Sequence, residues 1–411
     1  MCSRVSTLAN PRKPGSACEE ARDAVTVEVA TSLASVHPAE WDALALGRRD
    51  GIDETHNPFL SHAFLSALEE SGCVGARSGW APAHLLVRES EGALAAAAPC
   101  YLKSHSMGEY VFDGGWADAY ERAGGRYYPK LQVSVPFTPV TGPRLLVREG
   151  EGDWARDALI EGLRALRSQT GSSSIHATFL PKSEADALAS RGYLLRTDQQ
   201  FHWTDDGFGD FEGFLGALAS RKRKAIRRER RDALANGISV AWLTGPDIRE
   251  AHWDAFFAFY QDTGARKWGR PYLNRRLFSL VGERMADRVL LVMAMRGGKP
   301  IAGAINFVGD VALYGRNWGC VEDHPFLHFE VCYYQAIEFA LARGLKRVEA
   351  GAQGEHKLAR GYRPATTYSA HDIADPGLRR AIAEYLARER LYVEAAQEAY
   401  EGAVPFKREV D

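Results

Sequence analysis

The sequence predicts an α+β protein of two tandem domains, each a mixed, mostly antiparallel sheet flanked by helices. Three observations lead there. The chain has 411 residues, enough for more than one core, and its 45% hydrophobic and 25% charged content is ordinary for a globular protein. The same order of elements is legible twice: helices, a meander of strands, then a further helix and strand. Leu85 matches Leu290 and Trp116 matches Trp318, a repeat of about 200 residues. Finally, residues 328–364 read without a break as helix, strand, glycine turn and charged helical turn, stopped by Gly361 and Pro364.

The elements follow in order. Residues 1–24 mix Pro, Gly, Ser, Lys and Glu without periodicity and read as disordered. The first domain is placed at 25–206, with a helix near 61–70 and strands at 84–88, 93–103 and 109–113. The last of these runs into Gly114-Gly115-Trp116-Ala117-Asp118. Pro136, Pro139 and Pro143 stiffen a segment suited to presenting polar groups. The second domain, 207–411, begins after the interruption Asp205-Asp206-Gly207-Phe208-Gly209-Asp210 with one long helix over 211–236. A helix at 272–286 and strands at 289–293, 299–308 and 311–316 come next, the last ending in Asn317-Trp318-Gly319. Phe329, Cys332, Tyr333, Ala336, Ile337 and Ala340 set the phase of the following helix, which Gly344 caps. A short strand at 346–350 precedes Gly351-Ala352-Gln353-Gly354, and an amphipathic helix spans 377–403.

Composition excludes several classes of function. A net charge of −2 exerts no general pull on nucleic acid or anionic membrane, so DNA is not an expected partner. The six cysteines lack CxxC or zinc-ligand spacing, and the histidines are scattered, so neither a disulfide framework nor a metal is expected. No apolar run reaches the ~18 residues of a membrane helix, and no leader is legible. The expectation is a cytoplasmic protein without a transmembrane segment.

One charge cluster stands out. Residues 221–231 hold eight basic side chains and one acid. On a helix, Phe211, Phe214, Leu215, Leu218, Ala225, Ile226 and Ala233 share an arc, and most of the basic residues lie opposite. Such a density of like charge repels itself unless anions are near. Arg221, Lys222, Arg223, Lys224, Arg227, Arg228 and Arg231 are therefore candidate phosphate or tRNA contacts. The alternative is a solvated face neutralised by acids such as Glu250 or Glu283.

The segment 129–146, the basic helix and the run Gly351-Ala352-Gln353-Gly354-Glu355-His356-Lys357 together resemble the FemAB-like family of predicted N-acyltransferases, relatives of the Fem peptidoglycan aminoacyltransferases. The resemblance covers roughly residues 26–400. It implies two tandem domains of the GCN5-related N-acetyltransferase fold and transfer of an acyl or aminoacyl group to an amine. The donor is then aminoacyl-tRNA or, as the alternative, acetyl-CoA or another acyl-CoA. In one respect the chain departs from that fold. Where a glycine-rich pyrophosphate turn is expected it has residues 320–327, without glycine and with Glu322 and Asp323, which disfavours coenzyme A.

Acyl transfer to an amine needs a neutral amine, donors for the oxyanion and aligned substrates, but no protein nucleophile. Ligands in α/β sheets gather at the carboxyl ends of strands. Candidate catalytic residues are thus Glu330, Gln353, His356 and Lys357. Candidate substrate contacts are Lys130, Gln132, Thr138, Arg144, Asn317, Trp318, His328, Glu355 and Arg360. The leading expectation is an aminoacyl-tRNA-dependent transferase acting on a cell-wall precursor or small natural-product amine. A coenzyme A-dependent N-acyltransferase, or a catalytically silent module binding RNA or a protein, are the alternatives.

Overall fold

The computed structural model describes residues 2–9, 24–47, 57–267, 271–351 and 354–407. The chain forms two compact units, Met1–Asp198 with Thr367–Leu391, and Gln199–Thr366 with Tyr392–Asp411. Both mix helices with mostly antiparallel strands, so the architecture is α+β.

In the first unit one antiparallel sheet runs in the order Cys2–Ala9, Ala24–Ala30, His84–Arg88, Leu94–Ala98, Leu146–Val147. Residues 2–9 were expected to be disordered and instead pair with Ala24–Ala30. An edge strand offers unpaired amides and carbonyls, and Val5 and Thr7 suit a strand well enough to take them. A second set of strands comprises Trp80–Pro82, Cys100–Lys103, Lys130–Val133, Ser174–Leu180 and residues 367–373. The expected strand 93–103 is therefore two strands in different sheets. They part at Pro99, which has no N–H to donate to a ladder. Helix Gly152–Thr170 lies over the first sheet, closely enough that a Cβ on Gly162 would meet Val27 and Leu85.

The expected strand 109–113 is irregular, because Glu109 and Asp113 turn inward to Lys130. Trp116 consequently sits on helix Gly114–Arg122, not at a strand end. Helix Pro376–Glu401, read from sequence as part of the second domain, packs Leu378, Ile382 and Leu386 against Trp116, Tyr127 and Ile373.

The second unit orders its strands Ile238–Thr244, Val289–Arg296, Lys299–Val308, Ala312–Cys320, Arg347–Glu349, then residues 199–204. All pairings are antiparallel except that of Ala312–Cys320 with Arg347–Glu349. The expected single helix over 211–236 is two, Phe211–Ala217 and Ser220–Ala233. Leu218 and Ala219 between them are extended; Leu218 bridges Phe406 and the Ala219 amide donates to Pro405. Ile226 of the second helix joins a core with Phe214, Leu218, Val331 and Ile337, and Ala233 is fully buried.

Candidate functional site

Parallel strands Ala312–Cys320 and Arg347–Glu349 pair only over Ala312–Tyr314 and Arg347–Glu349. The longer strand then runs on for six residues, paired there with Lys299–Val308. Where the two strands part, a cavity of about 90 Å³ opens. Its wall is Ala304, Asn306, Gly315, Arg316, Asn317, Trp318 and Ala350 from the strands, and His328, Cys332 and Tyr333 from the helix. The cavity thus lies at the carboxyl end of a parallel pair, where the sequence reading looked for it.

The helix beside it is not regular. Leu327–Phe329 is α-helical, Glu330–Tyr334 forms a π turn, and Gln335–Ala342 returns to α. Such a turn adds a residue to the helix and re-aims its side chains, and it recurs near functional sites. Here Cys332 and Tyr333 face the cavity while Glu330 is fully buried elsewhere. Glu330 accepts from Arg230 Nε at 3.1 and 3.2 Å, Arg230 Nη2 at 2.9 Å and Gln335 Nε2 at 2.7 Å. A carboxylate so engaged is a structural counter-charge.

His356 backs the lining residues Tyr333 and His328. Its Nε2 lies 2.8 Å from Tyr333 Oη, and its ring stands 6.3 Å from that of His328. Trp318 meets the His328 ring edge-on at 5.2 Å. Burial, and then the neighbouring Cys332 sulfur, push the Tyr333 phenol far above its ordinary range, so it stays a neutral hydroxyl. Lys357 is 1% exposed and donates to Gly351 O at 2.8 Å. Burial lowers its amine to about 8, against an opposing pull from Cys332. Arg360 donates to His356 O at 2.8 Å and Glu229 Oε2 at 2.9 Å, with its guanidinium 3.4 Å over the Phe329 ring. Lys357 and Arg360, one turn apart, therefore serve different partners rather than one shared anion. Gln353 lies outside the described residues, as does the Glu355 side chain.

The residues expected to bind substrate in the first unit are internal. Lys130 Nζ is fully buried against Glu109 at 2.7 Å, Ser106 at 2.9 Å and Asp113. Burial opposes its charge, but the two carboxylates outweigh that and raise its pKa. Gln132 donates to Thr178 at 3.0 Å, and Thr138 donates to Pro136 O at 2.9 Å. Arg144, with no exposure, donates to the carbonyls of Val140, Gly142, Pro143 and Thr178. The proline-rich segment is buried rather than presented, because this arginine ties its carbonyls inward.

The basic helix keeps Arg221, Lys224, Arg227, Arg228 and Arg231 exposed and Lys222 and Arg223 half-buried. Arg227 pairs with Glu212 and Arg231 with Asp232. Glu322, expected to repel a pyrophosphate, is matched at 2.8 Å by both Arg296 and His324. That repulsion is compensated locally, while the missing glycines remain.

Sequence reasoning missed Asn306, Gly315, Cys332, Tyr333 and Glu229. Two had a signal: Asn306 is the one polar residue inside the apolar run 301–308, and Glu229 the one acid among eight basic residues. Among the described residues no group of three His, Cys, Asp or Glu side chains could hold a metal ion, and no helix is long and apolar enough to cross a membrane.

The chain is similar in structure to FemX, with a TM-score of 0.53 and 11% identity over 85% of this chain and 98% of that one. It also aligns with L-PGS from Bacillus licheniformis, at TM-score 0.48 and 10% identity over 82% and 99%. A tandem GNAT protein of the clavulanic acid biosynthesis pathway aligns at 0.45 and 13% over 86% and 99%. No curated protein sequence matches it. The family model described as peptidoglycan biosynthesis/recognition, FemAB-like, matches residues 32–408. With that model spanning more than half of the chain, the chain belongs to the FemAB-like family.

Proposed function

We propose that the second unit transfers an aminoacyl group from aminoacyl-tRNA to the amine of a cell-wall precursor or small natural product. One observation carries the reading: a strongly basic exposed helix and a cavity at parted strands are built into the same unit, joined by Glu229 and Arg230. The basic face suits a phosphate backbone and the cavity suits a small acyl group. The acceptor amine, freed of its proton by His328 or His356, attacks the ester carbonyl. The C–N bond forms, the C–O bond to the ribose breaks, and the ribose hydroxyl leaves with a proton. No bond to the protein forms. Protonated Lys357 supports the negative charge of the tetrahedral oxygen.

A coenzyme A donor is the second reading, favoured by the pairing of Glu322 with Arg296 and His324, which lifts the repulsion of a pyrophosphate. The purified protein incubated with charged tRNA, uncharged tRNA and acetyl-CoA at two salt concentrations separates the two. Salt-sensitive retention of charged tRNA, and transfer of its label to an added amine, are the expected results. Tight acetyl-CoA binding without tRNA retention overturns the first reading in favour of the second.

A further inference from the structure

Glu229 and Arg230 are adjacent on the basic helix, yet both turn from its exposed basic face toward residues packed behind the cavity wall. Glu229 Oε2 accepts from Tyr334 Oη and from Arg360 Nη2 at 2.9 Å. Arg360 in turn holds the His356 carbonyl at 2.8 Å, and the His356 ring holds Tyr333, which lines the cavity. Arg230 clasps Glu330 through Nε and Nη2 and adds Glu338 at 2.7 Å. Glu330 and Tyr334 are the first and last residues of the π turn. Both ends of the turn that aims Cys332 and Tyr333 are therefore fastened to one short stretch of the helix. On either side of that stretch stand Arg227, Arg228 and Arg231, exposed to solvent.

We infer that Glu229 and Arg230 are positioning residues which couple polyanion binding on the basic helix to the shape of the cavity. An anion on the outer face draws Arg227, Arg228 and Arg231 toward it and moves the helix by which Glu229 and Arg230 hold the π turn and Arg360. The cavity wall follows because both ends of the turn that carries Cys332 and Tyr333 are held by this stretch of the helix. This rests on the proposed function for its biological ligand but not for its test, since any polyanion engaging the helix suffices.

Cys332 reports on the wall. Its alkylation rate by N-ethylmaleimide, resolved by mass spectrometry, is to be measured for the whole protein alone, with heparin and with tRNA. Saturating heparin is expected to change that rate about fivefold, the lower range of ordinary coupling between two sites. In Glu229→Gln, which keeps the shape and removes the charge, the change is expected to shrink while heparin binding persists. Arg230→Lys, which keeps the charge and loses the fork, provides a second variant should the first fold poorly. Heparin that binds without altering the Cys332 rate of the unmodified protein overturns the coupling, as does a change of equal size in both variants. Failure of heparin to bind overturns it as well. Heparin that binds and shifts Cys332 while tRNA does not bind leaves the coupling standing and removes the tRNA donor. tRNA that binds without the shift does the reverse.

Discussion

Both units bury lysines, and Lys130 of the first and Lys357 of the second are treated oppositely. Lys130 lies among Glu109, Asp113 and Ser106, and its charge is held in place. Lys357 has a carbonyl oxygen as its hydrogen-bond partner, and burial brings its amine down to about 8. The parallel strand pairs beside them differ in the same sense. In the first unit Lys130–Val133 ends as its pairing with Ser174–Leu180 ends, and Arg144 binds the Thr178 carbonyl beyond it. In the second, Ala312–Cys320 continues past its partner and a cavity fills the gap. A buried charge matched by carboxylates is an internal pin. A buried charge facing only a dipole is available for chemistry.

The sharpest way to break this comparison is to remove each lysine in turn. Lys130→Met leaves buried Asp113 without its lysine and Glu109 with Lys103 at 3.5 Å in its place, and should cost about 3–5 kcal/mol, read as a lower urea midpoint. Lys357→Met should leave the midpoint nearly unchanged or raised, because it removes a desolvated charge rather than a pair. It should instead lower the transfer rate by about 10²–10³, the usual loss on removing an oxyanion donor. Equal losses of stability in the two variants sink the distinction.

The pH dependence sharpens it further. The folded-state pKa of Lys357 is near 8 against an ordinary 10.5, so between those values the unfolded chain holds the extra proton. The cost of burying the charge is present below about 8 and is relieved as pH climbs through that window, so this residue makes stability rise with pH. Activity should move the other way, falling above about pH 8 as the oxyanion loses its cation. Lys357→Arg should carry that falling limb to higher pH. A limb that stays in place assigns it to another group.

A smaller effect is expected at the cavity itself. A Cβ on Gly315 would lie 3.2 Å from Asn306 Oδ1 and 3.4 Å from the Glu349 carbonyl. Gly315→Ala should narrow the cavity at little cost to the fold, raising KM for the acyl donor by about tenfold with kcat kept. An unchanged KM places the donor elsewhere.

Much of the fold was legible because its signals are local. The helix through Ala340, the cap at Gly344 and the strand before Gly351 appear near where they were read, since periodicity and turn chemistry act over a few residues, while the π turn at Glu330–Tyr334 left no such signal. The boundaries that failed did so where a distant group intervened. Leu218 and Ala219 look helical alone and are extended because residues 405 and 406 bond to them. Glu109–Asp113 looks like a strand and is drawn out of one by Lys130. The candidate site divides likewise. Asn317, Trp318 and His328 do line the cavity, with His356 behind them, the first two because the end of a strand lies at the end of the sheet. Arg144, Lys130 and Glu330 carry equally suggestive chemistry and are buried among partners.

By itself, the sequence determined the α+β class, the family, the basic face of one helix and the end of the sheet where a cavity forms. Tertiary structure alone decided which charges are free to act. A charge's role depends on what neutralises it, and the partners of Glu330, Lys130 and Arg360 stand 100, 17 and 131 residues away in the chain. No local pattern encodes such distances; only the folded contacts do.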